Sequence, residues 1–286
     1  MQKSIAVIFH KNERINRLPR FAIWHLARIW QEEKIRVVML FGTEKYVPAD
    51  LALLHVDLSV VPDEYLDFAR RYPLVLNGVL KDIRKSLFST ILVKREDNYE
   101  GKVIVKSNLN FAGEPERKLL GTPLSRLMLR ATVRFPWLRL FRRSSSPLFM
   151  LPSDYRIFDS LHLVPAEWFK REDVIVEKFL PELKNGMYCL RNYHFLGDHG
   201  WCVLRKSAHP IVYAGTASKS EREEVEPHPE IIKLTRSLKF DYGKFDYVIH
   251  NNQPILLDAN KTPGAGGSER YFAMCREWAK GIHSYL

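Results

Sequence analysis

The chain has 286 residues, 46% of them hydrophobic and 12% aromatic, which is enough apolar material for two cores and too much for global disorder. Its three cysteines, Cys189, Cys202 and Cys275, are odd in number and far apart. Neither a disulfide framework nor a zinc spacing is expected, and reduced thiols in a cytoplasmic protein are. Net charge is +11, but the window from Glu116 to Arg143 supplies +7 of it, so the basicity is local and is weak evidence for nucleic-acid binding.

The N-terminus, Met-Gln-Lys-Ser-Ile-Ala-Val-Ile-Phe, carries too short an apolar run for a signal peptide. No stretch approaches the roughly 20 apolar residues that span a bilayer, so a soluble protein with no transmembrane segment is expected. Residues 5–9 predict a buried parallel strand. Residues 18–33 predict a helix with an apolar stripe through Phe21, Trp24, Leu26, Ala27 and Trp30, and Pro19 suits its first turn. Strands follow at 36–41, at 51–54 with 56–61, and at 73–76, with a short helix at 63–71 before the last. This order argues a small α/β domain with a largely parallel sheet. It has no GxGxxG, so no dinucleotide site is read there. Residues 77–93 have a helical pattern and bridge to the second half.

In Gly101-Lys-Val-Ile-Val-Lys-Ser-Asn-Leu-Asn-Phe-Ala-Gly113, a strand at 103–106 ends on Lys106 and runs into a polar loop. A lysine at a strand exit reaches a phosphate as a point charge, and free amides of the loop surround the rest. The GxxxxGK[ST] phosphate loop is missing. Next, Arg126, Arg130 and Arg134 recur at i, i+4 beside an apolar stripe of Leu120, Leu124, Leu127, Met128 and Ala131. Three uses of this basic helical segment compete: a lid, a dock for an acidic substrate or carrier protein at residues 117–143, or a membrane-surface helix.

Residues 174–176 predict a buried strand inside Asp173-Val-Ile-Val-Glu-Lys-Phe-Leu-Pro-Glu182. Strands at 188–196 and 201–206 flank a turn at Gly197-Asp-His-Gly200 and carry Arg191 and Arg205. Residues 219–230 read as a charged surface loop, and 268–285 as an amphipathic helix.

Between these lies the most informative stretch, a hairpin of residues 244–250 and 255–260. A two-residue Asn251-Asn252 turn would pair residues whose numbers sum to 503 and put Asp246 and Asp258 on opposite faces. A three-residue loop, Asn251 to Gln253, makes the sum 504 and sets Asp246 across from Asp258, with Asn260 two residues along on the same face. Asn tolerates the left-handed backbone such a loop needs. Facing carboxylates repel unless a cation lies between them. Two carboxylates and an amide oxygen suit Mg²⁺, which draws the rest of its shell from water and phosphates. The competing reading is a strand whose polar residues simply face solvent. The glycine-rich Thr262-Pro-Gly-Ala-Gly-Gly-Ser268 that follows would let backbone approach a ligand closely.

Lys-x-Asp, a dozen residues, then Asp-x-Asn-x-x-Pro-Gly resembles the metal-binding end of the ATP-grasp superfamily. The resemblance covers most of the chain, the first ninety residues in layout rather than by motif. It implies a Rossmann-like domain at 1–93 and a two-lobed ATP-grasp domain at 94–286, α/β and α+β in class. The lobes would be about 94–176 and 177–286, with a basic helical insertion at about 115–147. It implies ATP and Mg²⁺, the metal on Asp246, Asp258 (where the family more often has Glu) and Asn260. Lys244 stands where many relatives have Arg. Lys106 would be the nucleotide lysine, and Arg84 or Lys85 a basic residue of the bridging helix near the phosphates. Glu177, with main chain at Phe179 and Leu180, would read adenine, and Glu182 would hold the ribose. Arg191 and Arg205 would face phosphate or acyl phosphate, a role that suits the planar, permanently charged guanidinium.

The activity so implied is ATP-dependent ligation: a small-molecule or peptide carboxylate is activated as an acyl phosphate and joined to an amine or thiol. A phosphotransferase on the same fold is one alternative. A non-catalytic basic protein that binds nucleic acid or anionic membrane through residues 117–143 is another, for which no recognised nucleic-acid motif speaks.

Overall fold

The computed structural model describes residues 2–121, 150–213, 216 and 222–286. Arg126, Arg130, Arg134, Arg139, Arg142 and Arg143 of the basic segment, and Lys219 at the start of the charged loop, lie outside the described residues. The chain divides into two units, Met1–Ile83 with Pro181–Leu286, and Arg84–Leu180.

In the first unit β1 (Ser4–Phe9), β2 (Arg36–Phe41), β3 (Leu51–Leu54) and β4 (Val75–Leu76) form a parallel sheet in the order β2-β1-β3-β4. Apart from Ser4 at the start of β1, β1 and β3 are apolar, and both are buried along their length, as central strands of a covered parallel sheet require. Helix α1 (Ala22–Glu32) buries Ile23, Leu26, Ala27 and Trp30. The helix expected from residue 18 is broken: Ile15–Arg20 is a 3-10 turn that contains Pro19, and Phe21 is extended and bridges Gly264. A short helix, α2 (Asp63–Ala69), follows as predicted. Residues 56–61 form no strand beyond a single bridge from Val60 to Asp82.

The helix expected at 77–93 is absent. Asn77 takes a left-handed φ of 58°, and its side-chain oxygen accepts from the backbone N–H groups of Asp241 and Tyr242. That long-range use of the amide wins over local helical pairing, and only a 3-10 turn at Lys85–Leu87 forms.

The second unit holds β5 (Val103–Ser107), α3 (Glu114–Leu119), β6 (Arg156–Phe158) and β7 (Val174–Lys178), the strands antiparallel in the order β6-β5-β7. Val103, Val105, Val174 and Val176 pack with Val93, Met150, Leu161 and Val164 as its core. The alternation of a strand therefore turns Lys106 and Glu177 to the other face.

Back in the first unit, β8 (Glu182–Lys184), β9 (Met187–Leu196), β10 (His199–Ser207), β11 (Arg222–Val225), β12 (Tyr242–His250) and β13 (Gln253–Asn260) make one antiparallel sheet. Its order is β11-β10-β9-β12-β13, with β8 also on β9. β11 corrects the loop expected at 219–230. Its Glu223 is held by Lys184 and Lys206 at 3.2 and 3.1 Å, so the acidic stretch finds partners at the sheet edge. Helix α4 (Pro229–Ser237) was not foreseen, since it buries only Ile231 and Thr235. The last helix, α5 (Glu269–Ala279), is capped by Ser268 and gives way to a 3-10 turn at Lys280–Ser284. It packs on α1, where Trp30 Nε1 donates to Ala279 O at 2.9 Å. Among the described residues no helix is long and apolar enough to cross a membrane.

Candidate active site

The β12–β13 hairpin turns on two residues, not three. His250 pairs with Gln253, and Asn251 and Asn252 both carry positive φ, 49° and 61°, the signature of a type I′ turn. From His250 to Tyr247 every pair sums to 503, the register that would have separated the two aspartates. Between Tyr247 and Asp246 the register shifts by one residue of β13, and Asp246 then pairs with Asp258 and Lys244 with Asn260. This β-bulge recovers on one face what the turn alone would have lost. The expected three-residue loop is corrected, and the expected pairing exists for a different reason.

The neighbouring strands add to that face. Asn192 of β9 pairs with Asp246, and its Nδ2 donates to Asp246 Oδ1 at 2.5 Å. Lys244 Nζ donates to Asp246 Oδ2 at 2.8 Å. Arg205 lies two residues from Val203, which pairs with Asn192, so its side chain shares the face. Burial lowers the Arg205 pKa, and Asp246 partly restores it. His194 pairs with Lys244 and stacks on Trp201 at 4.2 Å, with an interplanar angle of 7°. Burial, then the charges of Lys244 and Arg205, hold its pKa well below the usual histidine value. Gly243 allows strand β13 to come close, since a Cβ there would meet Asn260 O at 2.7 Å.

Asn260 is oriented from outside the hairpin. Its Oδ1 accepts from Thr262 N at 2.8 Å, and Thr262 Oγ1 donates to Asp57 at 2.7 Å. The glycine-rich sequel is anchored rather than loose: Ala22 N donates to Pro263 O, Ala265 N to Arg20 O, and buried Lys261 to Leu58 O.

This donor set fits a hard divalent cation. Asp246 and Asp258 face each other, amide oxygens lie beside them, and all are only partly buried apart from Asn192. Among the described residues no three His, Cys, Asp or Glu side chains form a metal cluster. A cation here would therefore need water or phosphate oxygens to complete its shell, the habit of Mg²⁺.

Arg191 and Glu182 are not brought to this face. Arg191 pairs with Tyr247, and its Nε and Nη2 donate to Glu182 at 2.7 to 3.1 Å. Those hydrogen bonds raise the Arg191 pKa. Glu182 Oε2 also accepts from Ile249 N at 2.8 Å. The separation of Arg191 from Arg205 was legible in the sequence: a hairpin loop of two or four residues pairs odd numbers with even, so these two odd-numbered arginines point to opposite faces. The contribution of Asn192 was not, because no turn sets the register between β9 and β12.

In the second unit Lys106 and Glu177 form an ion pair of 2.6 Å, their side chains 7% and 0% exposed. Of the adjacent basic residues Arg84 and Lys85, Lys85 is the buried one, and its Nζ donates to Leu109 O at 2.8 Å. Ser86 N donates to Asn108 Oδ1, so the turn at 85–87 holds the loop after β5. That loop passes through three consecutive left-handed residues, Phe111, Ala112 and Gly113, with φ of 43°, 57° and 70°. Such a run is a tight left-handed turn, which glycine at its last position adopts without strain. Phe179 N donates to Lys102 O at 2.8 Å, which continues the strand past β7 toward Leu180.

The site so far defined is a carboxylate-and-amide face with two cations beside it, on an α/β chain whose described residues form one parallel and two antiparallel sheets. No family model matches the sequence, and neither does any curated protein. Among solved structures the chain is similar to a RimK domain ATP-grasp protein from Sphaerobacter thermophilus, with 9% identity, 99% of each chain covered and a TM-score of 0.48. It is also similar to a D-alanine–D-alanine ligase from Bacillus anthracis, with 11% identity, 99% of each chain and a TM-score of 0.44. The same organism's ligase complexed with ATP gives 13% identity, 99% of each chain and a TM-score of 0.42.

Proposed function

We propose that the protein is an ATP-dependent ligase of ATP-grasp type that joins a carboxylate to an amine or a thiol. The observation that carries this reading is the bulge that sets Asp246 against Asp258, with Asn260 on the same face. Like charges opposed across two strands are unfavourable by themselves, and a bound cation makes the arrangement favourable. In this reading residues 1–93 form the Rossmann-like domain and 94–286 the ATP-grasp domain, divided near residue 176.

Asp246, Asp258 and Asn260 would hold Mg²⁺, which when bound neutralises charge on the phosphates. Lys244 and Arg205 add positive charge on the same face and favour an anionic substrate there. Lys106, with Glu177 steering its ammonium group, and the amides of the loop ending at Gly113 are assigned to the nucleotide, with Lys85 supporting that loop. Phe179 and Leu180 are assigned to the base by their main chain.

The chemistry balances without a protein nucleophile. A substrate carboxylate oxygen attacks the γ-phosphorus of ATP, the bond to the bridging oxygen breaks, and ADP leaves. An amine or thiol then attacks the acyl carbon and phosphate leaves, which gives an amide or a thioester with loss of one proton.

The test is ADP release from Mg²⁺ and ATP, screened over carboxylic acids paired with pools of amines, amino acids and thiols. Carboxylate-dependent ADP release with an amide or thioester product supports the ligase. A stable phosphorylated product would make the protein a phosphotransferase instead. Failure to bind Mg²⁺ and ATP at all would remove both.

A further inference from the structure

Asn192 is only 2% exposed, and its amide is half used. Nδ2 donates to Asp246 Oδ1 at 2.5 Å, while Oδ1 is buried with no hydrogen-bond partner among the described residues. The amide cannot turn over to relieve this, because its oxygen would then meet the carboxylate oxygen and two acceptors would repel. A buried carbonyl oxygen without a donor is costly, so its persistence beside a charged group points to a partner that arrives with a ligand.

A second buried polar atom on the same sheet face has no hydrogen-bond partner among the described residues. It is Arg205 Nε, which makes no hydrogen bond to the described residues, although burial and Asp246 dominate the electrostatics of its side chain. Asn192 sits one strand from each neighbour: opposite Val203 of β10 on one side, and opposite Asp246 on the other. It is the only residue that pairs directly with Asp246 from β9.

We infer that Asn192 is a positioning residue of the cation site, an inference that rests on the function proposed above. Its N–H aims the Asp246 carboxylate at the point between the aspartates. Its free oxygen accepts a hydrogen bond from a water in the shell of the cation. Outer partners of this kind typically account for 10- to 100-fold in metal affinity. Asparagine suits the position better than aspartate, since it supplies one donor and one acceptor without adding a third negative charge.

The test uses Mn²⁺ as the probe, titrated into the full-length protein and followed by electron paramagnetic resonance, with melting temperatures recorded in chelator and in Mn²⁺. Asn192→Leu keeps the branching at Cγ and removes both the donor to Asp246 and the free acceptor, and it is expected to weaken Mn²⁺ binding about tenfold or more with the fold retained. If that variant fails to fold, Asn192→Asp carries the test. It should melt lower than wild type in chelator, because its carboxylate meets that of Asp246, and Mn²⁺ should restore most of the loss. A role in packing alone would lower the melting temperature without that rescue. Wild-type affinity in a folded Asn192→Leu protein, or no rescue of Asn192→Asp, overturns the inference and leaves the ligase reading standing. A wild-type protein that takes up no Mn²⁺ overturns the cation site and the inference together.

Discussion

Asp246 stands directly across from Asp258 although the hairpin that carries them turns on two residues, because β13 spends one extra residue in a bulge between them and the turn. A register of 503 would have sent the two carboxylates to opposite sides of the sheet. The bulge keeps the tight Asn251-Asn252 turn and still opposes the acids, at the cost of a ladder irregularity.

One consequence concerns the carboxylates. Asp258→Asn removes one of two facing charges, so the melting temperature in chelator should be unchanged or slightly higher. The same variant should lose the stabilisation that wild type gains from Mg²⁺ and ATP, and with it substrate-dependent ADP release. Equal turnover by Asp258→Asn and wild type would remove the metal assignment.

The buried pair in the second unit behaves differently. Lys106→Met leaves the fully buried Glu177 without its 2.6 Å partner and should cost about 3–5 kcal/mol of stability, read by chemical denaturation. Adding Glu177→Gln to Lys106→Met should recover much of that loss without recovering nucleotide binding. If the double variant binds ATP like wild type, Lys106 is a structural ion-pair partner only.

The turn offers a control for the bulge. Asn252 holds a φ of 61°, a region glycine enters freely and β-branched residues resist. Asn252→Gly should be neutral or stabilising, and Asn252→Val destabilising by about 1–2 kcal/mol in a thermal melt. Asn252→Gly should leave the Mg²⁺ response intact, since the bulge rather than the turn opposes the aspartates.

His55 predicts a pH dependence. Burial among Phe9, Phe21 and Tyr242 lowers its pKa from 6.5 to about 3. Between those values the unfolded chain binds a proton that the folded chain does not. Its contribution is therefore full above pH 6.5 and is lost as pH falls toward 3, with a slope of about 1.4 kcal/mol per pH unit. His55→Phe should flatten the acid side of the stability curve, and an unchanged slope would show that the ring is protonated in the fold.

Much of this architecture was written in local pattern. The apolar runs at β1 and β3 allow little but buried strands, the alternation in β12 and β13 shows two exposed-side acids, and the stripe of α1 faces one way. These features depend on residues a few positions apart, which is the range over which side-chain period and backbone preference act. The same range permitted a helix at 77–93, which failed because Asn77 spends its amide on Asp241 and Tyr242, far along the chain.

Sequence by itself determined which residues can bear charge and coordinate a cation, and the parity that keeps Arg191 off the face of Arg205. Tertiary structure alone decided the bulge, the pairing of Asn192 with Asp246, and the ion pair of Lys106 with Glu177. The last two join strands whose register no connecting turn dictates, and the bulge departs from the register that the Asn251-Asn252 turn sets, so packing and long-range hydrogen bonding had to choose all three.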